Sequence, residues 1–344
     1  HQPMISPSGR FVIAYNGEIY NFKAIRQELE ATGARFKTQS DTEVLLEAYK
    51  RWGLECLDHF NGMFAFGLWD RHQRRLLLVR DRMGVKPLYW AKIGSRLIFA
   101  SEVKSILSYP GFERRANLDA LSSYLTFRQP IEDLTFFQGV EKLMPGHYMI
   151  FQNGNITTKK YYELPINENH EDLGEDYYLE GVSDLLRKSV KSRMISDVPL
   201  GAFLSGGLDS SLLVAFMANM SKDPIKTFSI GYQEDEYNEK EFAQIVSRHC
   251  HTDHHQLSLT HNDYLDRWQK LIQHRDAPLS IPHEVALYQM SVELKKDITV
   301  VLSGEGADEL FGGYGRVQRS PLDWKKISFA RKILTPSIAN LLAK

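Results

Sequence analysis

Apolar and polar positions change rhythm near the middle of this chain. Up to about residue 162, short alternating runs are interspersed with helix-spaced ones. Phe11-Val12-Ile13-Ala14-Tyr15 reads as a strand running into an Asn16-Gly17 turn. Asn21 is placed to cap a helix with apolar positions Phe22, Ile25 and Leu29, closed by Gly33. Ser40, followed three residues on by Glu43, predicts a capping box, and the helix it opens ends at Gly53. Strand patterns then cover 63–69, 75–80, 87–93 and 96–100, and the turn-rich segments 70–74 and 93–95 predict antiparallel hairpins. Two further strands are read over 146–151 and 156–162.

The stretch 165–176 is acidic, polar and aperiodic, and reads as a linker. Beyond it strands and helices alternate. A helix is expected over 181–194, an apolar run over 198–204, a helix over 212–220 and a strand over 225–230. Asn238, with Glu241 three residues on, predicts a capped helix to about Cys250, and strands follow over 255–259 and 297–302. This alternation argues a parallel, doubly wound sheet. The expected fold is thus α+β over 1–164, a linker over 165–176, and α/β over 177–344.

Bulk properties narrow the function. A length of 344 residues implies about two domains. Lys+Arg 42 against Asp+Glu 43 leaves a net charge of −1, so no global basic field recruits nucleic acid. The apolar runs all fall short of the roughly 20 residues of a membrane span, and no signal-peptide pattern opens the chain. Two cysteines, Cys56 and Cys250, make a disulfide framework implausible and fit a reducing cytoplasm. His1 at the start and Leu341-Leu342-Ala343-Lys344 at the end read as the middle of a longer protein.

The richest chemistry lies in Leu204-Ser205-Gly206-Gly207-Leu208-Asp209-Ser210-Ser211, between an apolar run and a helix. Two adjacent glycines let the backbone turn sharply and approach a bound group. A helix start offers unpaired N–H groups and a positive dipole end. The three serines add hydroxyls, and Asp209 can hold a metal ion against an anion's oxygens. The sum is a pyrophosphate cradle, although a Gly pair alone serves equally for an ordinary turn. In open parallel sheets ligands bind beyond the carboxyl ends of strands. Three loops qualify: 205–211, Gly231 after Ile230, and 303–309, where Glu305, Asp308 and Glu309 crowd together. Such carboxylates repel unless a cation intervenes, and Asp209 with Asp308 could hold Mg²⁺ on the pyrophosphate. The plain alternative for 303–309 is a solvated acidic turn.

The Ser-Gly-Gly-x-Asp-Ser string resembles the PP-loop of the ATP pyrophosphatases, which cut ATP between its α and β phosphates. Together with Ser303-Gly304-Glu305-Gly306-Ala307-Asp308-Glu309-Leu310-Phe311-Gly312-Gly313-Tyr314, it resembles glutamine-hydrolysing asparagine synthetase. Four strings in the first part are similar to that family's glutaminase domain. They are Asn16-Gly17-Glu18-Ile19-Tyr20-Asn21, Ser40-Asp41-Thr42-Glu43, Asn61-Gly62-Met63-Phe64-Ala65 and 80–89. The resemblance implies an N-terminal-nucleophile glutaminase, a four-layer αββα sandwich, followed by a PP-loop ATP pyrophosphatase sheet, both truncated here.

It further implies roles. Asn16 and the Gly17 amide would form an oxyanion hole, and Asp41 would hold the α-ammonium of glutamine with Glu18 nearby. Read from the residues alone, Asn16-Gly17 could equally be a hairpin turn. ATP would lie on Ser205, Gly206, Gly207, Asp209, Ser210 and Ser211, with adenine near Leu204 and Ile230. Ser303 and Gly304 would contact the nucleotide, Glu305 would accept a proton or bind the intermediate, and Asp209 and Asp308 would hold Mg²⁺. The substrates implied are aspartate, glutamine and ATP, with a homodimer as a candidate assembly.

The family's nucleophilic Cys and a glutamine-binding Arg are expected upstream of His1, and a synthetase lysine beyond the far end. Cys56, in Leu54-Glu55-Cys56-Leu57, reads as core and is not a substitute. His249, Cys250, His251, Asp253, His254 and His255 invite a zinc reading, against a solvated surface segment. Relatives that amidate a sugar or peptide, or close a β-lactam, keep the adenylating chemistry with another acceptor. A tRNA-modifying enzyme is disfavoured, since no basic patch with interleaved aromatics occurs. A degenerate binding module would have lost loop residues, and both loops are intact.

Overall fold

The computed structural model describes residues 2–166, 171–232 and 240–333, which divide into two compact units. The first comprises His1–Ile195 with His261–Gln289, and the second Ser196–Thr260 with Met290–Lys344.

In the first unit the chain runs β1 (Met4–Ile5), β2 (Phe11–Ile19), α1 (Phe22–Ala31), α2 (Asp41–Trp52), α3 (Cys56–His59), β3 (Gly62–Asp70) and β4 (Arg75–Arg80). It continues through β5 (Tyr89–Ile93), β6 (Arg96–Ala100), α4 (Val103–Leu107), α5 (Leu118–Phe127), β7 (Glu141–Lys142), β8 (His147–Gln152), β9 (Asn155–Lys160) and α6 (Glu175–Arg193). Among the described residues a six-stranded sheet is ordered β1-β2-β3-β4-β8-β9, and a three-stranded one β6-β5-β7. Every neighbouring pair in both is antiparallel.

Side chains alternate across a strand, so β3, β4 and β8 of the large sheet each serve two cores. Phe64, Phe66, Leu77 and Val79 pack with Ile25, Leu29, Leu45 and Tyr49 of α1 and α2. Their neighbours Ala65, Leu76 and Leu78 pack instead with Leu88, and with Trp90, Leu97 and Phe99 of the small sheet. The opposite face of the small sheet, through Ala91 and Ile98, packs on Val103, Ile106 and Leu107 of α4. The layers are helix, sheet, sheet, helix, as expected from the resemblance.

Several local expectations are corrected. Asn16-Gly17 is not a turn: β2 passes straight through it, paired with β3 from Phe11↔Asp70 to Ile19↔Gly62. A Cβ on Gly17 would overlap the Met63 carbonyl, and one on Gly62 would overlap that of Glu18. The glycines serve this close backbone approach rather than reversal. Asn21 precedes α1 but makes no side-chain cap. Its side chain instead donates to the His59 carbonyl (2.9 Å) and accepts from the Asn61 amide (3.0 Å). The Ser40–Glu43 box is half formed, Ser40 accepting from the Glu43 amide at 3.3 Å. Gly53 closes α2 with φ 60°, as read. α6 starts at Glu175, inside the predicted linker.

The second unit holds β10 (Leu200–Phe203), α7 (Leu208–Met220), β11 (Lys226–Tyr232), α8 (Lys240–Cys250) and β12 (Asp253–Leu259). The chain then makes α9 (His261–Arg275) and α10 (His283–Leu294), which lie mainly with the first unit, before β13 (Val300–Leu302), α11 (Ala307–Phe311) and α12 (Gly315–Ile333). The four strands pair in parallel in the order β12-β11-β10-β13. Numbered within the sheet this is 3-2-1-4, which reverses direction between β10 and β13, the position where α/β sheets open a ligand crevice. Asn238 lies outside the described residues. Among those residues, no helix is long and apolar enough to cross a membrane.

Gly62→Ala is expected to destabilise the first unit by roughly 1–3 kcal/mol, because backbone on both strands must shift to admit the methyl. Urea denaturation followed by tryptophan fluorescence checks it, and an unchanged midpoint would contradict the close approach.

Candidate active site

Strand β2 carries Asn16, Gly17 and Glu18, and its hydrogen-bond parity decides what they offer. Phe64, opposite Gly17, spends its backbone on the β4 side: its carbonyl accepts from the Asp81 amide (2.8 Å) and its amide donates to Asp81 Oδ2 (3.2 Å). Gly17 and Phe64 therefore form a non-hydrogen-bonded pair, and the Gly17 amide points away from β3. The amides of Tyr15 and Ile19 share that direction. They are taken by Gln2 Oε1 (3.2 Å) and Asp41 Oδ2 (3.1 Å), which leaves Gly17 N–H between two side-chain acceptors on an edge that β1 covers only at Val12 and Ile13. Asn16 projects to the other face and donates to Ser101 Oγ (3.2 Å).

Asp41 is the first helical residue of α2, and one oxygen, Oδ2, accepts both the Ile19 amide and the Tyr15 hydroxyl (2.6 Å). It thus braces β2 on both sides of the Asn16-Gly17-Glu18 segment. Burial, and secondly the Asp41 charge, push the Tyr15 hydroxyl well above its ordinary range, so it stays a donor. Glu43 fixes the start of α2 in turn. Its carboxylate accepts the Lys37 amide (2.8 Å), the Thr38 amide (2.6 Å) and the Thr38 hydroxyl (2.6 Å). Burial opposes its charge, but these donors outweigh it and hold its pKa below the ordinary value.

Sequence reading left two residues of the 80–89 string without a role. Asp81, 1% exposed, accepts the amides of Phe64, Met83 (3.1 Å), Val85 (3.0 Å) and Lys86 (2.9 Å). Arg80 donates to the carbonyls of Lys86 (2.9 Å), Leu143 (2.8 Å) and Gly84 (2.8 Å). Adjacent opposite charges just after an apolar strand were the available signal.

In the second unit α7 begins at Leu208, four residues earlier than predicted, so Asp209, Ser210 and Ser211 lie in its first turn. Gly206 adopts φ 88°, and a Cβ there would stand 2.5 Å from the Ala243 amide nitrogen of α8. Ser205 and Ser210 hydroxyls are 3.0 Å apart, and the Gly207 amide donates to Ser205 Oγ (3.2 Å). Because β10 and β13 are neighbours, their following loops touch. A Cβ on Gly304 would lie 3.0 Å from that of Asp209 and 3.2 Å from the Ser210 amide nitrogen.

The other predicted residues are distributed less tightly. Leu204 is buried and its amide donates to the Phe228 carbonyl (2.8 Å). Ile230 pairs with Leu257, and β11 continues to Tyr232, so Gly231 is in a strand and not in a loop after it. Ser303 and Glu305 are exposed, and Asp308 sits in α11. Glu309 turns to the Tyr314 hydroxyl (2.7 Å), a bond that lowers its pKa.

Among the described residues, no cluster of three or more His, Cys, Asp or Glu side chains could hold a metal ion. The segment 249–255 includes no such cluster, and neighbouring His254 and His255 face opposite ways on β12. His254 is not solvated either: it bonds Thr227 (2.9 Å) and Ser229 (3.1 Å), and burial lowers its pKa. His255 stacks on Phe228.

Comparison with known proteins finds two family matches along the chain. Residues 1–162 match the glutamine amidotransferase domain, and residues 181–343 match asparagine synthase. The chain joins an amidotransferase domain to an asparagine synthase domain. It is 38% identical over 325 residues to glutamine-hydrolysing asparagine synthetase 1 of Bacillus subtilis, covering 94% of this chain and 51% of that protein. A putative glutamine-hydrolysing asparagine synthetase 2 of Methanocaldococcus jannaschii is 34% identical, covering 94% of this chain and 62% of its own. The chain therefore spans roughly half to three-fifths of these relatives. The solved glutamine phosphoribosylpyrophosphate amidotransferase of B. subtilis aligns over 63% of this chain and 46% of its own at 20% identity, with a TM-score of 0.33.

In the amidotransferase domain, the lowered Glu43 pKa gives a signed pH effect. Its stabilisation is complete above the unfolded value, about 4.3, and is lost as pH falls through the lower folded one. Glu43→Gln is expected to cost about 1–3 kcal/mol at pH 7 and progressively less toward pH 3. Denaturation curves across that range check this; a pH-independent difference would remove the carboxylate from its assigned role.

Proposed function

We propose that the protein converts aspartate to asparagine at the expense of ATP, using ammonia released from glutamine. The observation that carries this reading is the 3-2-1-4 strand order, which sets the β10 and β13 loops side by side with Gly304 against Asp209. That crevice suits a nucleotide, and the family of both domains supplies the reaction class.

On the glutaminase side, the Gly17 amide and the Asn16 side chain would stabilise the oxyanion formed at the glutamine amide, while Asp41 and Glu18 would receive the α-ammonium. The outward direction of the Gly17 amide supports this. On the synthetase side, ATP would seat its pyrophosphate over the α7 start, from Ser205 to Ser211, with adenine toward Leu204 and Ile230. The aspartate side-chain carboxylate attacks the α-phosphorus, and the bond to pyrophosphate breaks, leaving β-aspartyl-AMP. Ammonia then attacks the acyl carbon, AMP departs, and Glu305 would take the released proton or hold the intermediate. Ser303 and Gly304 would border the nucleotide. Mg²⁺ is commonly held by one or two carboxylates plus substrate phosphates, and the pair Asp209 and Asp308 fits that donor set; the ion would neutralise charge on the departing pyrophosphate. A cytoplasmic location follows from the cysteine usage and belongs to the same proposal, as does a homodimeric assembly.

The full-length protein with ATP, Mg²⁺ and labelled ammonia is expected to release AMP and pyrophosphate only with aspartate, and to form labelled asparagine. ADP and phosphate, or indifference to aspartate, overturns the reading; stimulation by a different carboxylate redirects it to an acceptor such as a sugar or peptide acid. Asp209→Asn is expected to lower AMP formation at least about a hundredfold and to leave glutamine hydrolysis intact. Equal loss of both activities would contradict the division of labour between the two domains.

A further inference from the structure

We infer that the Ser210 side chain has a positioning role: its hydroxyl holds the phosphate loop in shape through Ser205 and Gly207 and does not itself touch the pyrophosphate. The inference deepens the adenylating reading and rests on it for the identity of the ligand. A serine hydroxyl has one proton and two lone pairs. Ser210 Oγ accepts from the Ser205 amide (3.3 Å), lies 3.0 Å from Ser205 Oγ and 3.2 Å from the Gly207 carbonyl oxygen, and is buried. Its single proton goes either to the Gly207 carbonyl or to Ser205 Oγ. In both arrangements it is committed inside the loop.

Phosphate oxygens at the α–β bridge of ATP only accept. A group without a free proton cannot bind them, so Ser210 has nothing to give unless the loop opens. Ser205 Oγ, for its part, already accepts the Gly207 amide at 3.2 Å. The four contacts close a ring around Gly206, whose φ of 88° and tight approach to α8 leave it little freedom. What the ring exposes is the start of α7, where the amides of Leu208, Asp209 and Ser210 have no intrahelical acceptor. The anion's donors would therefore be these backbone amides, held in register by the hydroxyl pair. Ser211 contrasts with Ser210: its amide bonds the Gly207 carbonyl (3.0 Å), and its buried hydroxyl has no partner.

The test uses hydrogen exchange and steady-state kinetics on the full-length protein. Without nucleotide, Ser210→Ala is expected to speed exchange at the Ser205 and Gly207 amides about tenfold, while Ser211→Ala leaves them unchanged. The cost of reordering the loop falls on binding, so KM for ATP should rise about tenfold with kcat within about threefold. Unchanged exchange in Ser210→Ala, or kcat down about a hundredfold with KM unaltered, would mean direct contact in the transition state and overturn the inference. If Ser210→Ala does not fold, Ser205→Ala removes the other hydroxyl of the pair. Faster exchange at Gly207 in that variant supports the ring, and an unaltered rate refutes it. Failure of the wild type to bind ATP would defeat the adenylating reading alone, since the exchange arm contains no nucleotide.

Discussion

Backbone amides must find acceptors, and the ways they do so shape both candidate sites in this protein. In the amidotransferase domain a row of amides on β2 points off the edge of the pairing with β3. Gln2 and Asp41 cap the row at Tyr15 and Ile19, and Gly17 lies between them. In the synthase domain the start of α7 presents a helix's unsatisfied amides, and the hydroxyls of Ser205 and Ser210 tie down the loop that leads into it. Each site is a place where the secondary structure runs out of acceptors and side chains decide which donors remain free.

The same constraint explains the acidic residues. Asp41, Glu43 and Asp81 are carboxylates next to chain reversals or helix starts: Asp41 takes one amide and a phenol, and Glu43 and Asp81 each gather several amides that no strand or helix satisfies. For Glu43 the converging donors outweigh burial and hold the pKa below its ordinary value. Arg80 is the complement, one guanidinium collecting two carbonyls of the loop whose amides Asp81 collects, and a third from Leu143. Together these residues give fixed geometry to segments with almost no regular structure of their own.

Much of the secondary structure was legible because burial on one face leaves a period in the sequence. β3, β4, β6, β8 and β9 fall within a residue or two of their alternating runs, and α2 was bounded correctly by Ser40 and Gly53. The helices α9 and α10 were not read, although Leu265, Trp268 and Ile272 recur at helical spacing along α9. The Asn16-Gly17 pair was misread for a physical reason. Gly is demanded both by turns and by close strand approach, and local sequence does not distinguish the two; Gly62, the other half of the contact, is 45 residues away. The histidine cluster shows the same limit of local sequence, since neighbours along β12 go to opposite faces.

Sequence by itself determined the alternation of many of the elements and the chemical types gathered in the 16–18, 205–211 and 303–309 segments. Periodicity, capping and turn chemistry are local, and each leaves its mark within a few residues. Tertiary structure alone decided that β13 pairs with β10, so that Gly304 meets Asp209, and that Phe64 bonds toward Asp81, so that the Gly17 amide faces outward. Strand order and hydrogen-bond parity depend on partners far apart in the chain, and no local pattern encodes them.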